Sequence, residues 1–149
     1  MILSRRLFLA LGGASAIGAT AYHLNVGNRS HEATTLVMSP TEAHQAAQTG
    51  DILLVDIRRP DEWQKTGVPL HALTLDLRMQ EFVSELQEAR ASHNQPIAVI
   101  CARGVRSAKL SRQLEKAGIG PIFDVSEGML GSRLGPGWLG HGLPVRKVQ

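Results

Sequence analysis

Cys101 is the only cysteine in the chain. It sits in the run Val99-Ile100-Cys101-Ala102-Arg103-Gly104-Val105-Arg106-Ser107. An apolar strand-like stretch precedes it and a helix-like stretch follows. A short turn between a strand end and a helix start aims several backbone N–H groups at one point, and the helix N-terminus adds positive potential. Gly104 permits a backbone conformation closed to other residues. Arg103 and Arg106 add two permanent cations. Each of these features favours a thiolate, which is the nucleophilic form of cysteine. The same cradle would hold a persulfide anion and attract an anionic sulfur donor such as thiosulfate.

The elements that must position this loop alternate between strand and helix. Ser39-Pro40 fits a helix start, with Ser39 as N-cap, and the helix runs to about Gln48 before Gly50. Residues 52–55 form a continuous apolar run expected of a strand covered on both faces. Pro60 opens a short helix with Asp61 and Glu62 in its first turn. Residues 72–77 alternate like a strand, and residues 79–91 carry Phe82, Val83, Leu86 and Ala89 at helical spacing. Residues 97–100 give a second buried strand, residues 107–116 a helix and residues 122–125 a last strand. From Glu127 onward the glycine-rich chain is expected to be mostly irregular, and residues 131–141 to form a surface loop. Such alternation implies an α/β domain with a parallel sheet and helices on both faces, with ligands at the carboxyl ends of the strands.

The first 21 residues read as an address. Arg5 and Arg6 precede an apolar stretch over residues 7–17, and Ala19-Thr20-Ala21 offers a peptidase site. Ser4-Arg5-Arg6-Leu7-Phe8-Leu9 resembles the bacterial twin-arginine export motif, which implies an exported, periplasmic protein, or a membrane-anchored one if the segment is not cleaved. Membrane association is expected through this segment alone. Residues 22–35 are polar and aperiodic, a linker, leaving residues 36–149 for the domain.

Sixteen Lys and Arg against thirteen Asp and Glu give a net charge of +3, which falls to +1 without Arg5 and Arg6. No basic run remains to track a phosphate backbone, and aromatics are 4%, so nucleic acid is not an expected partner. The six histidines show no metal-ligand spacing, and no metal site is expected. Met38, Met79, Met129 and Trp63 are expected in the core.

The loop Cys101 to Ser107 resembles the rhodanese active-site loop, C-x-x-G-x-R-S/T. Asp56-Ile57-Arg58-Arg59-Pro60-Asp61-Glu62-Trp63 is similar to that family's D-V-R-x-P-x-E-[WF] segment. Thr66-Gly67-Val68-Pro69 with Ala72 is similar to G-[HV]-[IV]-P-G-A, although His71 stands where the family has glycine. That change would loosen the start of the strand or turn His71 toward an acceptor. Ser107 to Gly118, Glu127-Gly128-Met129 and Gly142-Leu143-Pro144-Val145 match further family elements in order. The resemblance implies a rhodanese-like three-layer fold and a two-step sulfur transfer. A donor passes sulfur to Cys101, and an acceptor (cyanide or a thiol, a thiol on a partner protein included) removes it. Backbone N–H groups from Ala102 through Arg103, Gly104 and Val105 to Arg106 would hold the persulfide. Arg103 and Arg106 would receive the donor, with Asp56, Arg58 and Ser107 supporting. No cofactor is implied. A persulfide carrier or anion-binding accessory is the alternative. Phosphatases and arsenate reductases use cysteine–arginine loops with five intervening residues, against four here.

Overall fold

The computed structural model describes residues 35–148. The expected export signal and all of the expected linker but its last residue lie outside the described residues. A five-stranded parallel sheet is ordered β1-β6-β5-β2-β4. Its strands are β1 (Leu36–Val37), β2 (Leu53–Asp56), β4 (Leu73–Thr74), β5 (Ile97–Ile100) and β6 (Ile122–Asp124). The connecting helices are α1 (Pro40–Thr49), α2 (Pro60–Thr66), α3 (Phe82–Glu88) and α4 (Val105–Lys116). A short antiparallel pair, β3 (Val68–Pro69) with β7 (Val145–Arg146), ties the end of the chain back to its first half. A four-residue helix, α5 (Gly137–Gly140), precedes β7.

Local chemistry accounts for these elements. At the start of α1, Ser39 Oγ accepts from the Glu42 N–H while the Ser39 N–H donates to Glu42. This reciprocal box satisfies two donors that the helix leaves open. Gly50, at φ 81°, ends the helix in the left-handed region. In β5 the alternation of a strand decides which residue faces which layer. Ile97, Val99 and Cys101 join a core cluster with Phe82 and Leu86 of α3 and Leu110 and Leu114 of α4. Ala98 and Ile100 join a second cluster on the opposite face with Ala43, Met129 and Trp138. The sheet is therefore covered on both sides, which is why its central strands read as unbroken apolar runs.

Several expected boundaries shift. The strand expected over residues 72–77 pairs only at Leu73 and Thr74, both against β2. The helix expected over residues 79–91 is confined to Phe82–Glu88, and Met79 is exposed rather than packed in the core. The glycine-rich end departs most. Trp138 is fully buried, and its indole N–H donates to the Pro144 carbonyl. Residues 131–141 thus contribute to the core instead of merely covering the surface. Glu127 holds this segment by accepting from the Gly137 N–H at 3.0 Å and pairing with His141 at 2.8 Å.

Among the described residues, His71 is the one non-glycine with positive φ, at 71°. A side chain is tolerated there with some strain, since this region favours glycine. The His71 ring stacks on His44, with centroids 6.4 Å apart, and His44 meets Trp138 edge-on.

Candidate active site

Strand order reverses between β2 and β5: from β2 the chain runs outward to β4 on one side, and from β5 it runs to β6 on the other, where β1, the first strand, forms the edge. The crevice at such a reversal is where open α/β sheets bind ligands. Both loops at this point belong to the candidate site. Cys101 directly follows β5, and Asp56 and Arg58 lie at the end of β2. The Ile57 N–H donates to the Ile100 carbonyl at 3.0 Å, which fixes the two loops in register.

Cys101 is 1% exposed. Its Sγ lies 3.5 Å from Ser107 Oγ. Ser107 Oγ also donates to the Gly104 carbonyl at 3.0 Å. With the sulfur as thiol, S–H can donate to this hydroxyl. With the sulfur charged, rotation of the hydroxyl turns the same group into a donor to sulfur. Ser107 thereby serves both states without moving its carbon atoms. α4 begins at Val105, so the backbone of the loop closes directly into a twelve-residue helix, whose first N–H groups have no acceptor within the helix.

The loop is clamped from outside by residues 125–131. The Met129 and Leu130 N–H groups donate to the Cys101 and Ala102 carbonyls, both at 2.9 Å. Gly104 has φ 83°, and a Cβ there would lie 2.1 Å from the Ser126 carbonyl oxygen. Gly128 is as tightly placed, since its Cβ would come within 2.7 Å of the Ala102 carbonyl and the Arg103 nitrogen. Only glycine fits at either position, because the obstructing atoms are backbone. Gly104→Ala is expected to lower stability by about 2 kcal/mol through strain and displacement of the 126–128 strap. It should also depress activity, as read by urea denaturation alongside sulfur-transfer rates.

The two arginines of the loop differ. Arg106 makes a bidentate ion pair with Glu62 of α2, at 2.9 and 2.7 Å. Glu62 also accepts from the Arg59 N–H, so one carboxylate caps α2 and anchors the first turn of α4. Arg106, expected to receive the donor anion, has its guanidinium paired with this carboxylate in the structure. Arg103 is exposed, and its contact with the Gly131 carbonyl is long, at 3.4 Å. Of the two loop arginines, Arg103 is the one with no carboxylate partner among the described residues.

The Arg106 guanidinium holds the Glu62 carboxyl below its usual value near 4.5, against an opposing effect of burial. A carboxylate with a depressed folded pKa stabilises fully above its unfolded value and loses that contribution as pH falls through the folded one. Glu62→Gln is expected to cost about 1 kcal/mol at neutral pH. Its penalty should shrink as pH drops below the usual glutamate range, which a series of urea melts against pH would show.

Asp56 and Arg58 form a fully buried pair, 0% and 1% exposed. Arg58 Nε and Nη2 bond the Asp56 carboxylate, and its remaining donors reach Thr66 Oγ1 at 2.8 Å and the Gly67 carbonyl at 2.7 Å. The pair binds the end of β2 to the end of α2 and so fixes the helix that carries Glu62. Trp63 of the same helix is buried as expected, 8% exposed. The sequence alone did not single out the Glu62–Arg106 pair or the Ser126–Gly128 strap as parts of the site.

The fold and the loop together define a class: a three-layer α/β domain with a buried cysteine at the end of its central parallel strand, leading into a helix N-terminus. The chain belongs to the rhodanese-like domain family, whose model matches residues 39–132. A sulfurtransferase of Allochromatium vinosum is 30% identical over 108 residues, covering 72% of this chain and 90% of the relative. The crystal structure of Rv0390 from M. tuberculosis superposes with a TM-score of 0.58 at 28% identity, covering 74% of this chain and 96% of the other. The polysulfide-sulfur transferase homodimer of Wolinella succinogenes has the same fold, with a TM-score of 0.60 at 24% identity over 77% of this chain and 80% of the other. The family is that of rhodanese-like sulfurtransferases, with an α/β fold around a mostly parallel sheet.

Proposed function

We propose that the protein transfers sulfane sulfur from thiosulfate, or a similar anionic donor, to cyanide or a thiol through a persulfide on Cys101. The observation that carries this reading is the placement of Cys101: a buried sulfur at the mouth of the central strand, enclosed by a loop that only glycine at position 104 allows. In the first step the Cys101 thiolate attacks the outer sulfur of thiosulfate. The new Sγ–S bond forms as the S–S bond of the donor breaks, and sulfite leaves with the bonding pair. Arg103 neutralises the approaching dianion, and the N–H groups of the loop and the α4 terminus stabilise the charge left on the persulfide. In the second step an acceptor removes the outer sulfur and Cys101 is regenerated. No cofactor takes part in this scheme.

The motif around Arg5 and Arg6 and the Ala19-Thr20-Ala21 site support a location outside the cytoplasm for this reaction. Cell fractionation should find the protein in the periplasmic fraction, and Arg5→Lys with Arg6→Lys should retain it in the cytoplasm.

Steady-state kinetics with thiosulfate and cyanide test the catalytic proposal. Equal yields of sulfite and thiocyanate, with parallel double-reciprocal lines, are the expected result. The absence of thiocyanate with a folded protein would remove thiosulfate:cyanide turnover. A carrier role is favoured by one observation, the 1% exposure of Cys101, which shelters a persulfide from solvent. It predicts a stable persulfide that cyanide discharges slowly.

A further inference from the structure

A depression of about 820 Å³ opens beside the Arg103-Gly104 turn. Its size is that of a small-molecule site. The lining is mixed. Arg103 and Arg133 supply positive charge, Val105 and Leu134 supply apolar surface, and Asp124 and Ser126 lie at its base. Val105 and Leu134 are 78% and 70% exposed, so the apolar wall stands open.

Asp124 is the unexplained residue. It is 3% exposed, and Ser126 Oγ donates to one of its carboxylate oxygens at 2.6 Å. The other oxygen, Oδ1, is buried with no hydrogen-bond partner. A buried carboxylate oxygen without a donor is unfavourable unless something arrives to supply one. Asp124 pairs in register with Val99 of β5, and Val99, Cys101 and Ile122 share one face of the sheet. Asp124 follows Ile122 by two residues and so lies on the same face as Cys101. Strand spacing and rise put its Cα about 8 Å from that of Cys101.

We propose that this depression receives the sulfur acceptor, and that Asp124 selects a small thiol bearing an amine. The inference rests on the sulfurtransferase reading and names its acceptor class. The Asp124 carboxylate favours an acceptor that carries a cation. An ammonium group brings the N–H donors that Oδ1 lacks. The short carbon stem of the thiol lies along Val105 and Leu134, and any carboxylate on it meets Arg103 and Arg133. In the transfer step the acceptor sulfur bonds the outer sulfur of the persulfide. The bond from that sulfur to Sγ breaks, its electron pair returns to Sγ, and the acceptor proton ends on Cys101. No oxidant is needed. Asp124 is a specificity residue, whereas Cys101 carries the chemistry.

The full-length chain, charged with thiosulfate, is discharged with cysteamine, cysteine, mercaptopropionate and mercaptoethanol, in wild type and in Asp124→Asn. The amide oxygen of asparagine keeps the Ser126 bond while removing the charge. The ratio of wild type to variant cancels the intrinsic reactivity of each thiol. It should reach about tenfold for the two amines, mostly in KM, and stay near unity for the others. Equal ratios for all four thiols would overturn the proposal. A second arm needs no persulfide: calorimetry with (methylthio)ethylamine and (methylthio)ethanol, which cannot accept sulfur at a free thiol. Tighter binding of the amine to wild type, lost in Asp124→Asn, supports the site even if thiosulfate fails as donor. Equal binding of the two by wild type refutes it, whatever the donor proves to be.

Discussion

Cys101→Ser is expected to reduce sulfur transfer by roughly 10³-fold or more, with no persulfide detectable on the protein. The reaction stores sulfur in an S–S bond to Sγ, and a serine oxygen at that position offers neither the bond nor an ionisable group near neutral pH. The effect on stability should be small. The side chain is 1% exposed and faces Ser107 Oγ at 3.5 Å, so a serine hydroxyl finds a hydrogen-bond partner where the thiol was. Loss of the apolar sulfur from the α3–α4 cluster should cost about 1 kcal/mol. Thiocyanate production and the urea midpoint, measured on the same preparation, separate the two effects. A variant retaining a tenth of wild-type activity would place the nucleophile elsewhere.

Arg58→Met is expected to cost about 3–5 kcal/mol, a large share of the stability of a domain this size. The substitution preserves the stem but leaves the Asp56 carboxylate, 0% exposed, without its cation. The Gly67 carbonyl and Thr66 Oγ1 lose a donor at the same time. Asp56→Asn alone should also be costly, because the guanidinium is then buried without a counter-charge. The double variant should recover part of the loss, since neither charge remains to be buried uncompensated. Urea denaturation of the four proteins gives the coupling energy. Strict additivity would mean that the pair contributes no interaction of its own. Because Arg58 fixes the end of α2, sulfur transfer by Arg58→Met should fall even under conditions where most molecules are folded.

The parts of the protein legible in the sequence are those whose determinants are contiguous. Residues 97–107 announce a buried strand, a tight turn and a helix within eleven positions, and the cysteine, Gly104 and Arg106 stand at fixed offsets inside them. Ser39 and Glu42 likewise mark the start of α1 by a local exchange of hydrogen bonds. What stayed hidden depends on distance along the chain. Glu62 has a sufficient local explanation as a helix cap, and nothing in residues 59–66 reveals that it also grips Arg106, 44 positions away. Trp138 lies in a stretch of glycines with no period, so its full burial follows from the turns that fold it back beneath the sheet and not from any pattern. Met79 carries an apolar side chain at a helical offset, yet α3 begins only at Phe82, and the residue is left at the surface. Asp124 falls inside the strand expected over residues 122–125, and nothing in that run marks its side chain as buried. The residues around it come from separate parts of the chain, the first turn of α4 and Ser126 to Leu134.

The persulfide itself tests the central claim most directly. Intact-mass spectrometry of the full-length chain after brief exposure to thiosulfate should show a single added sulfur atom, located to Cys101 by peptide mapping and removed by cyanide. An unshifted mass in wild type under all anionic sulfur donors, or an adduct that persists in Cys101→Ser, would contradict it.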